Sequence, residues 1–443
     1  MGEVLSLRGQ LLGRESAQPA EIEGGDPSWL SELRQTALAA YRELPWPSSS
    51  RDEDWRRTSQ IDKLDPAAFQ PEAGAPEAGA WLRQLAGGQG LRTSATLVTG
   101  GGAGEGGAGS ELAQPIARAL ASDQERWRPW LGSVAPCGLR KFVALNTARF
   151  TAGAVVRVPR GTELALPVRL VHGAADGTAA FPRTLVVVED GASATVLEEW
   201  LSPPEARSLL VPVVEVVLGR DARLRHLISQ RTGSSTVVQS TVRARVGAGA
   251  SYGVHWTLTG GAWEKSYFEV EMEGEGSEFR AGGLCIGNRS QHFDVQTLQD
   301  HMARGAVSDL LYRAAVAGHS RSVFAGLIRV EEGAQKTNAY VQNRNLLLSP
   351  TAKADSNPTL EILANDVRCT HGTAAGRIDE EQLFYCQSRG VTREEARRVV
   401  VEGFFADVID GFPEGEIREL ARGWVLEALD QLSRSGALSA SPG

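Results

Sequence analysis

The stretch Arg368-Cys369-Thr370-His371-Gly372 carries the most suggestive chemistry in the chain. A cysteine thiolate and an imidazole both ligate iron, zinc and iron–sulfur units. On an extended strand alternate side chains share a face, so Cys369 and His371 would stand about 7 Å apart on one side. Two ligands do not close a site, because such centres usually take four. The remaining ligands must come from elsewhere. Within the chain the candidates are scattered: His172, His226, His255, His292, His301, His319 and Cys285. The competing reading is a buried cysteine beside a satisfied histidine at a strand end.

Other chemistry is thinly supported. The cysteines at 137, 285, 369 and 386 form no Cys-x-x-Cys pair, so neither a ferredoxin run nor a zinc ribbon is present. No GxxxxGK[ST] occurs, and the chain should bind no ATP through a P-loop. GxSxG and HExxH are also missing. The acidic run at 269–278 could attract cations but reads more simply as a solvated strand edge and turn. The formal charge is −8, and no Lys/Arg block stands out, so nucleic acid and anionic membranes have no electrostatic support. No run approaches the ~18 apolar residues of a membrane span. The first sixteen residues lack the apolar core of a signal peptide. A cytoplasmic, non-catalytic protein is the expectation.

The elements that must position Cys369 and His371 fall into three zones. The 443 residues are 42% hydrophobic and 23% charged, enough for two or three domains or one elongated one. Residues 1–135 read as a helical domain, with Asp26-Pro27 opening a helix that Pro45 stops. The segment 99–110, TGGGAGEGGAGS, reads as a flexible loop. Residues 136–377 alternate Val, Leu and Thr with polar residues between Gly turns, which is strand periodicity. A weak repeat runs through this zone. A small residue follows a turn residue at Thr162, Ala192, Ala222, Ala250, Ser277, Ala306 and Ala334, at gaps of 27 to 30. Alternating segments at nearly fixed spacing predict a β-solenoid, with a β-sandwich as the alternative. Residues 378–443 turn helical again. Asp379 can cap one helix, and Thr392 with Glu395 forms a capping box for the next. These amphipathic helices must pack on the solenoid end or on a partner, since solenoids need caps.

The words around Cys369 and His371 carry a resemblance. QKTNAYVQNRNLLLSPTAKADSNPTLEILANDVRCTHGTAAGRIDEEQLFYCQSRGV (335–391) closely resembles the signature region of the SufB/SufD family, scaffold subunits of the SUF iron–sulfur cluster assembly system. Segments 144–172 and 320–337 match as well, and 52–64 looks like the family's Trp-containing segment. QKTNAYVQNRNLLLS and DVRCTHG are most similar to SufD, whereas LFYCQSRGV and VVVEGFFADVID have SufB character. The resemblance implies a right-handed parallel β-helix core flanked by N-terminal and C-terminal α-helical domains. It implies pairing with a SufB-like chain through the β-helices, and docking of a SufC-like ATPase on the C-terminal helices. His371 and Cys369 would then supply half of a site for a transient iron–sulfur cluster shared with SufB. A reduced flavin in the complex is a further possibility that the family raises. Two other readings stand beside this one. The chain could be a self-pairing homodimeric scaffold, or a β-helix enzyme acting on polysaccharide.

Overall fold

A computed structural model of the chain describes residues 20–22, 25–71, 81–82, 84–85, 91–100, 103–106 and 112–438. The first sixteen residues, read above for a leader, lie outside these. From Gly153–Val158 to Arg368–Arg377, successive strands alternate between two sheets, and each pairs in parallel with the strand one coil away. The result is a parallel β-solenoid of about eight turns with helices at both ends. The register is regular: Leu224, Tyr252, Phe279, Ser308, Ala339 and Cys369 stand in one column along the second sheet.

The repeat in the sequence is the corner of this coil. Gly161, Gly191, Asp221, Gly249, Gly276 and Gly305 all have φ between 56° and 71°, the left-handed conformation that lets the chain turn from one sheet into the other. The small residues that follow them from Ala192 to Ala334 are fully buried, because the corner leaves no room for a larger side chain. Gly333 precedes the last of these without a positive φ; Lys336 takes that conformation instead, at 66°.

The lumen is filled by alternate residues of every strand, as period-two burial requires. Valines dominate the first coils. Further along, Trp256 stacks on Phe268 with centroids 4.1 Å apart, and Tyr312 stacks on Phe324 at 5.0 Å. Gly283 lies in register between Trp256 and Tyr312. A Cβ there would come within 2.3 Å of the indole, so the glycine is a packing requirement.

The outer faces are covered by the terminal segments. On the first sheet lie α1 (Ser28–Glu43), α2 (Ile116–Ser122), α3 (Gln124–Trp127) and α4 (Lys141–Arg149). Helix α4, inside the zone read as strands, is buried along nearly its whole length. Its Asn146 donates to the carbonyls of Pro182 and Val211. The buried Arg183–Glu215 pair fastens this region further. Glu215 accepts from the amides of Gly132, Val134 and Ala135, and Arg183 donates to Asn146 and Thr147. Helix α1 starts at Ser28 with Pro27 before it and no side-chain cap. Asp26, expected to cap it, accepts instead from Arg34 Nε at 2.7 Å, since a buried guanidinium needs a counter-charge more than the helix needs a cap.

Part of the Gly-rich segment read as a loop pairs as a hairpin. Ala95–Gly100 and Ala103–Gly106 run antiparallel and extend the second sheet at its N-terminal end. A sheet edge offers backbone partners, and pairing with them needs no side chain.

The helices α5 (Glu380–Gln387), α6 (Arg393–Phe404), α7 (Ala406–Asp410) and α8 (Glu416–Arg434) follow the solenoid. Asp379 and the Thr392/Glu395 box cap the first two as the sequence indicates. Their packing differs from the end cap expected. Phe405, Val408, Ile409, Trp424 and Leu429 bury against Leu197, Leu227, Leu284, Ile286 and Leu346 on the outer face of the second sheet. That face carries apolar residues at outward positions, so the helices lie along the coil and leave its end free. His255 keys the contact: its ring meets that of Phe412 at a tilt of 47° with centroids 4.9 Å apart, and Cβ atoms at Gly282 or Gly411 would each come within 2.6 Å of its ring.

Burial holds His255, His292 and His301 neutral, each with its pKa lowered to about 4. The unfolded chain accepts a proton at each below about 6.5, so stability declines as pH falls from about 6.5 towards 4. Glu264, raised to about 8 by burial against the hydrogen bond from Ser266, acts in the opposite sense; three histidines outweigh one carboxyl. We expect the midpoint of urea unfolding to fall between about pH 6.5 and pH 4.5, where the histidines outweigh Glu264, and His255→Gln to flatten that slope. A midpoint constant across this range would contradict the assignment.

Candidate functional site

Cys369 and His371 occupy the final strand, Arg368–Arg377, which forms one edge of the second sheet. Register fixes their direction. Cys369 pairs with Ala339 and His371 with Val341, and both partners belong to the lumen core. The two side chains therefore share the inward face of the last coil, as the strand reading required. Cys369 is half-buried against the core and His371 is exposed.

This end of the solenoid is open. The preceding coil is buried at its inward positions, whereas Lys353–Ile362 and Arg368–Arg377 are exposed along most of their length. Both are ten-residue edge strands, with ladder groups free to pair with a further strand. Pro358 sits in the first of them, a position that only an edge tolerates. Leu363 is 62% exposed and Ile362 is 40% exposed, beside half-buried Leu360 and Val367.

The other candidate ligands lie elsewhere. His172 and His226 converge on Glu198 inside the first coils, with Nε2–O distances of 3.3 and 3.2 Å. Burial pushes the Glu198 carboxyl up, but the two imidazoles outweigh it and hold the group below the usual carboxylate range. Thr99, Thr184, Trp200 and Tyr252 complete the cluster. Both ring nitrogens of each histidine are engaged within the cluster, which leaves none free for a metal. Four strands separate the strand of His226 from that of His371. Sequence spacing carried a signal that was missed: Glu198 stands one coil of 30 residues before Ile228, and His226 lies two residues from that position on the same face. His292 bonds to Thr58 at 3.0 Å beneath the N-terminal segment, and His301 bonds to Ser308 at 2.8 Å in the lumen. Cys285 is fully buried, with burial raising its thiol well above its ordinary range. Among the described residues no group of three or more His, Cys, Asp or Glu could hold a metal ion. No helix among them is long and apolar enough to cross a membrane.

Fold and site together define a class: a parallel β-solenoid with an exposed end and a cysteine and a histidine facing inward at that end. Comparison with known proteins agrees. The SufBD core domain of SUF system FeS cluster assembly matches residues 170–404. The chain is 30% identical over 294 residues to the iron–sulfur cluster assembly protein SufD of Escherichia coli, covering 64% of this chain and 69% of that protein. It is 32% identical over 288 residues to an iron–sulfur cluster assembly SufBD family protein of Mycobacterium tuberculosis, covering 63% and 72%. It is 33% identical to the chloroplastic protein ABCI7 of Arabidopsis thaliana over 283 residues, 61% of this chain and 59% of that one. The chain belongs to the SufB/SufD family of the SUF iron–sulfur cluster assembly system, and is most like SufD.

Burial raises the Cys369 thiol above its ordinary pKa, against a backbone hydrogen bond at Ala339. At neutral pH it is a thiol, and it becomes a ligand only when a metal or a new positive neighbour removes the proton. Iodoacetamide should therefore alkylate Cys369 more slowly than free cysteine at pH 7, with the rate still rising above pH 9, as followed by peptide mapping. Alkylation at neutral pH as fast as that of free cysteine would reveal an activated thiolate instead.

Proposed function

We propose that this chain is the SufD-type scaffold of a SUF complex, and that the open end of its solenoid pairs with a SufB-like chain to hold a nascent iron–sulfur cluster between them. One observation carries the reading: Cys369 and His371 face inward at the last coil, whose inner surface no further coil covers among the described residues. A thiolate and an imidazole make half of a four-ligand site. A partner's edge strand continuing the two sheets would satisfy the free ladder, cover Ile362 and Leu363, and bring the other ligands. In this scheme the cluster is cargo, held across an interface and released when that interface changes.

The C-terminal helices give a second contact. Phe384 is 73% exposed, Tyr385 57% and Val399 58%, all on α5 and α6. Aromatic residues of this kind anchor protein interfaces. They suit a SufC-like ATPase, which would supply the ATP-driven motion that a chain without a P-loop cannot. Iron and sulfide would pass through the complex without chemistry by this chain acting alone.

The test is the His371→Ala chain co-produced anaerobically with its SufB-like and SufC-like partners. The complex should still assemble, because the proposed interface rests on the free ladder and on Ile362 and Leu363 rather than on His371 alone. Its affinity for the cluster should fall at least about tenfold, the loss seen even for outer-shell changes at metal sites. Iron and acid-labile sulfide per complex would report it. Unchanged iron and sulfide would refute the shared site; loss of assembly would assign His371 to the interface alone.

A further inference from the structure

A groove of about 830 Å³ lies where the loop 410–414 and the start of α8 overhang the outer face of the second sheet. Its floor is built from strands one coil apart. Arg225 pairs in register with Thr195 on one side and Gly253 on the other, and Gly253 pairs with Arg280. Arg223 projects from the same face two residues before Arg225, flanked by Ser193 and Ser251.

Three exposed arginines, Arg223, Arg225 and Arg280, converge on this one groove. Among the described residues the Arg223 and Arg225 guanidiniums make no hydrogen bond or ion pair, and Arg280 has only the field of Asp309. The Ser193, Thr195 and Ser251 hydroxyls are likewise without side-chain partners among the described residues. Several outward arginines elsewhere on the solenoid do find acids: Arg157 pairs with Glu189, Arg169 with Glu199, Arg243 with Glu271, and Arg321 with Asp355. In the groove, Glu163, Glu278, Asp410 and Glu414 are present yet stand unpaired with these three. Arg418 is committed to the carbonyls of Asp410 and Phe412.

The spacing fits one kind of ligand. Adjacent strands lie about 4.8 Å apart, so Arg225 and Arg280 straddle Gly253 with backbones about 9.6 Å apart. A Cβ at Gly253 would meet only Leu224 O, at 3.8 Å, so the missing side chain opens a gap that packing does not demand. A tetrahedral oxyanion fits between two guanidiniums, each able to bond it through two N–H groups. The neighbouring carboxylates and hydroxyls would accept from, and donate to, sugar hydroxyls.

We propose that this groove binds a small phosphorylated polyhydroxy molecule, a sugar phosphate or a nucleotide, with the phosphate held by Arg225 and Arg280 across Gly253 and by Arg223. The volume suits such a ligand, since small-molecule sites run to about 300–1,000 Å³. The groove abuts the loop leading into α8, so occupancy would also brace the C-terminal helices against the solenoid.

Calorimetric titration of the full chain with ribose 5-phosphate, AMP and inorganic phosphate tests this. Saturable binding of one organic phosphate, tighter than inorganic phosphate, is expected. AMP alone would identify a nucleotide site; ribose 5-phosphate binding equally well would identify a sugar-phosphate site. The double variant Arg225→Gln with Arg280→Gln should weaken binding at least about tenfold, the value of one charge-assisted hydrogen bond, with an unchanged unfolding temperature. Gly253→Val, which adds a β-branched residue where packing leaves space, should block binding in a folded protein. No saturable heat with any of the three probes, or binding that survives the double variant, would overturn the proposal.

Discussion

A parallel β-solenoid cannot satisfy its own last coil. Each coil takes its backbone partners and its inward packing from the next, so the final one is left with two free edges and an uncovered inner surface. In this protein that coil is Lys353–Ile362 with Arg368–Arg377, and the helices that follow do not cover it. They lie along the flank, where Leu197, Leu227 and Leu284 provide an apolar strip. The open end is thus a consequence of where the outward leucines fall, and it leaves Cys369 and His371 accessible.

The coil was legible in the sequence because its corner has a strict steric demand. A left-handed turn residue followed by a residue no larger than Thr or Ser is needed once per coil, and it recurs from Gly161 to Gly305. The caps of α5 and α6 were legible for the same reason: Asp379 and Thr392 act through local hydrogen bonds. Helix α4 was not, since Phe142 to Arg149 is buried on nearly every side and shows no amphipathic period. The strand 103–106 was hidden because its pairing is entirely backbone to backbone. Where the C-terminal helices dock depends on outward residues spread over several coils, which no local window displays.

That Cys369 and His371 share a face was likewise legible, because alternation along a strand is local; that the face points inward came only from their pairing with Ala339 and Val341. Which groups meet across coils was not. His172, Glu198 and His226 are far apart in sequence and converge only because the coil brings them into register. The same is true of Arg225, Gly253 and Arg280. In a solenoid, residues about 28 positions apart are neighbours, so constellations have to be sought at the period of the coil rather than within a motif.

A division of labour follows from these placements. The lumen is committed to packing, with the His172–Glu198–His226 cluster bonded internally near the start of the coil. The flanks carry the helices, and the end carries Cys369 and His371. The most direct test of this account is to purify the tagged chain anaerobically from its native source, identify what accompanies it, and assay iron and acid-labile sulfide. The account predicts a SufB-like chain and a SufC-like ATPase with a bound cluster. Recovery of a stable, iron-free homodimer closed through its own solenoid ends would contradict it.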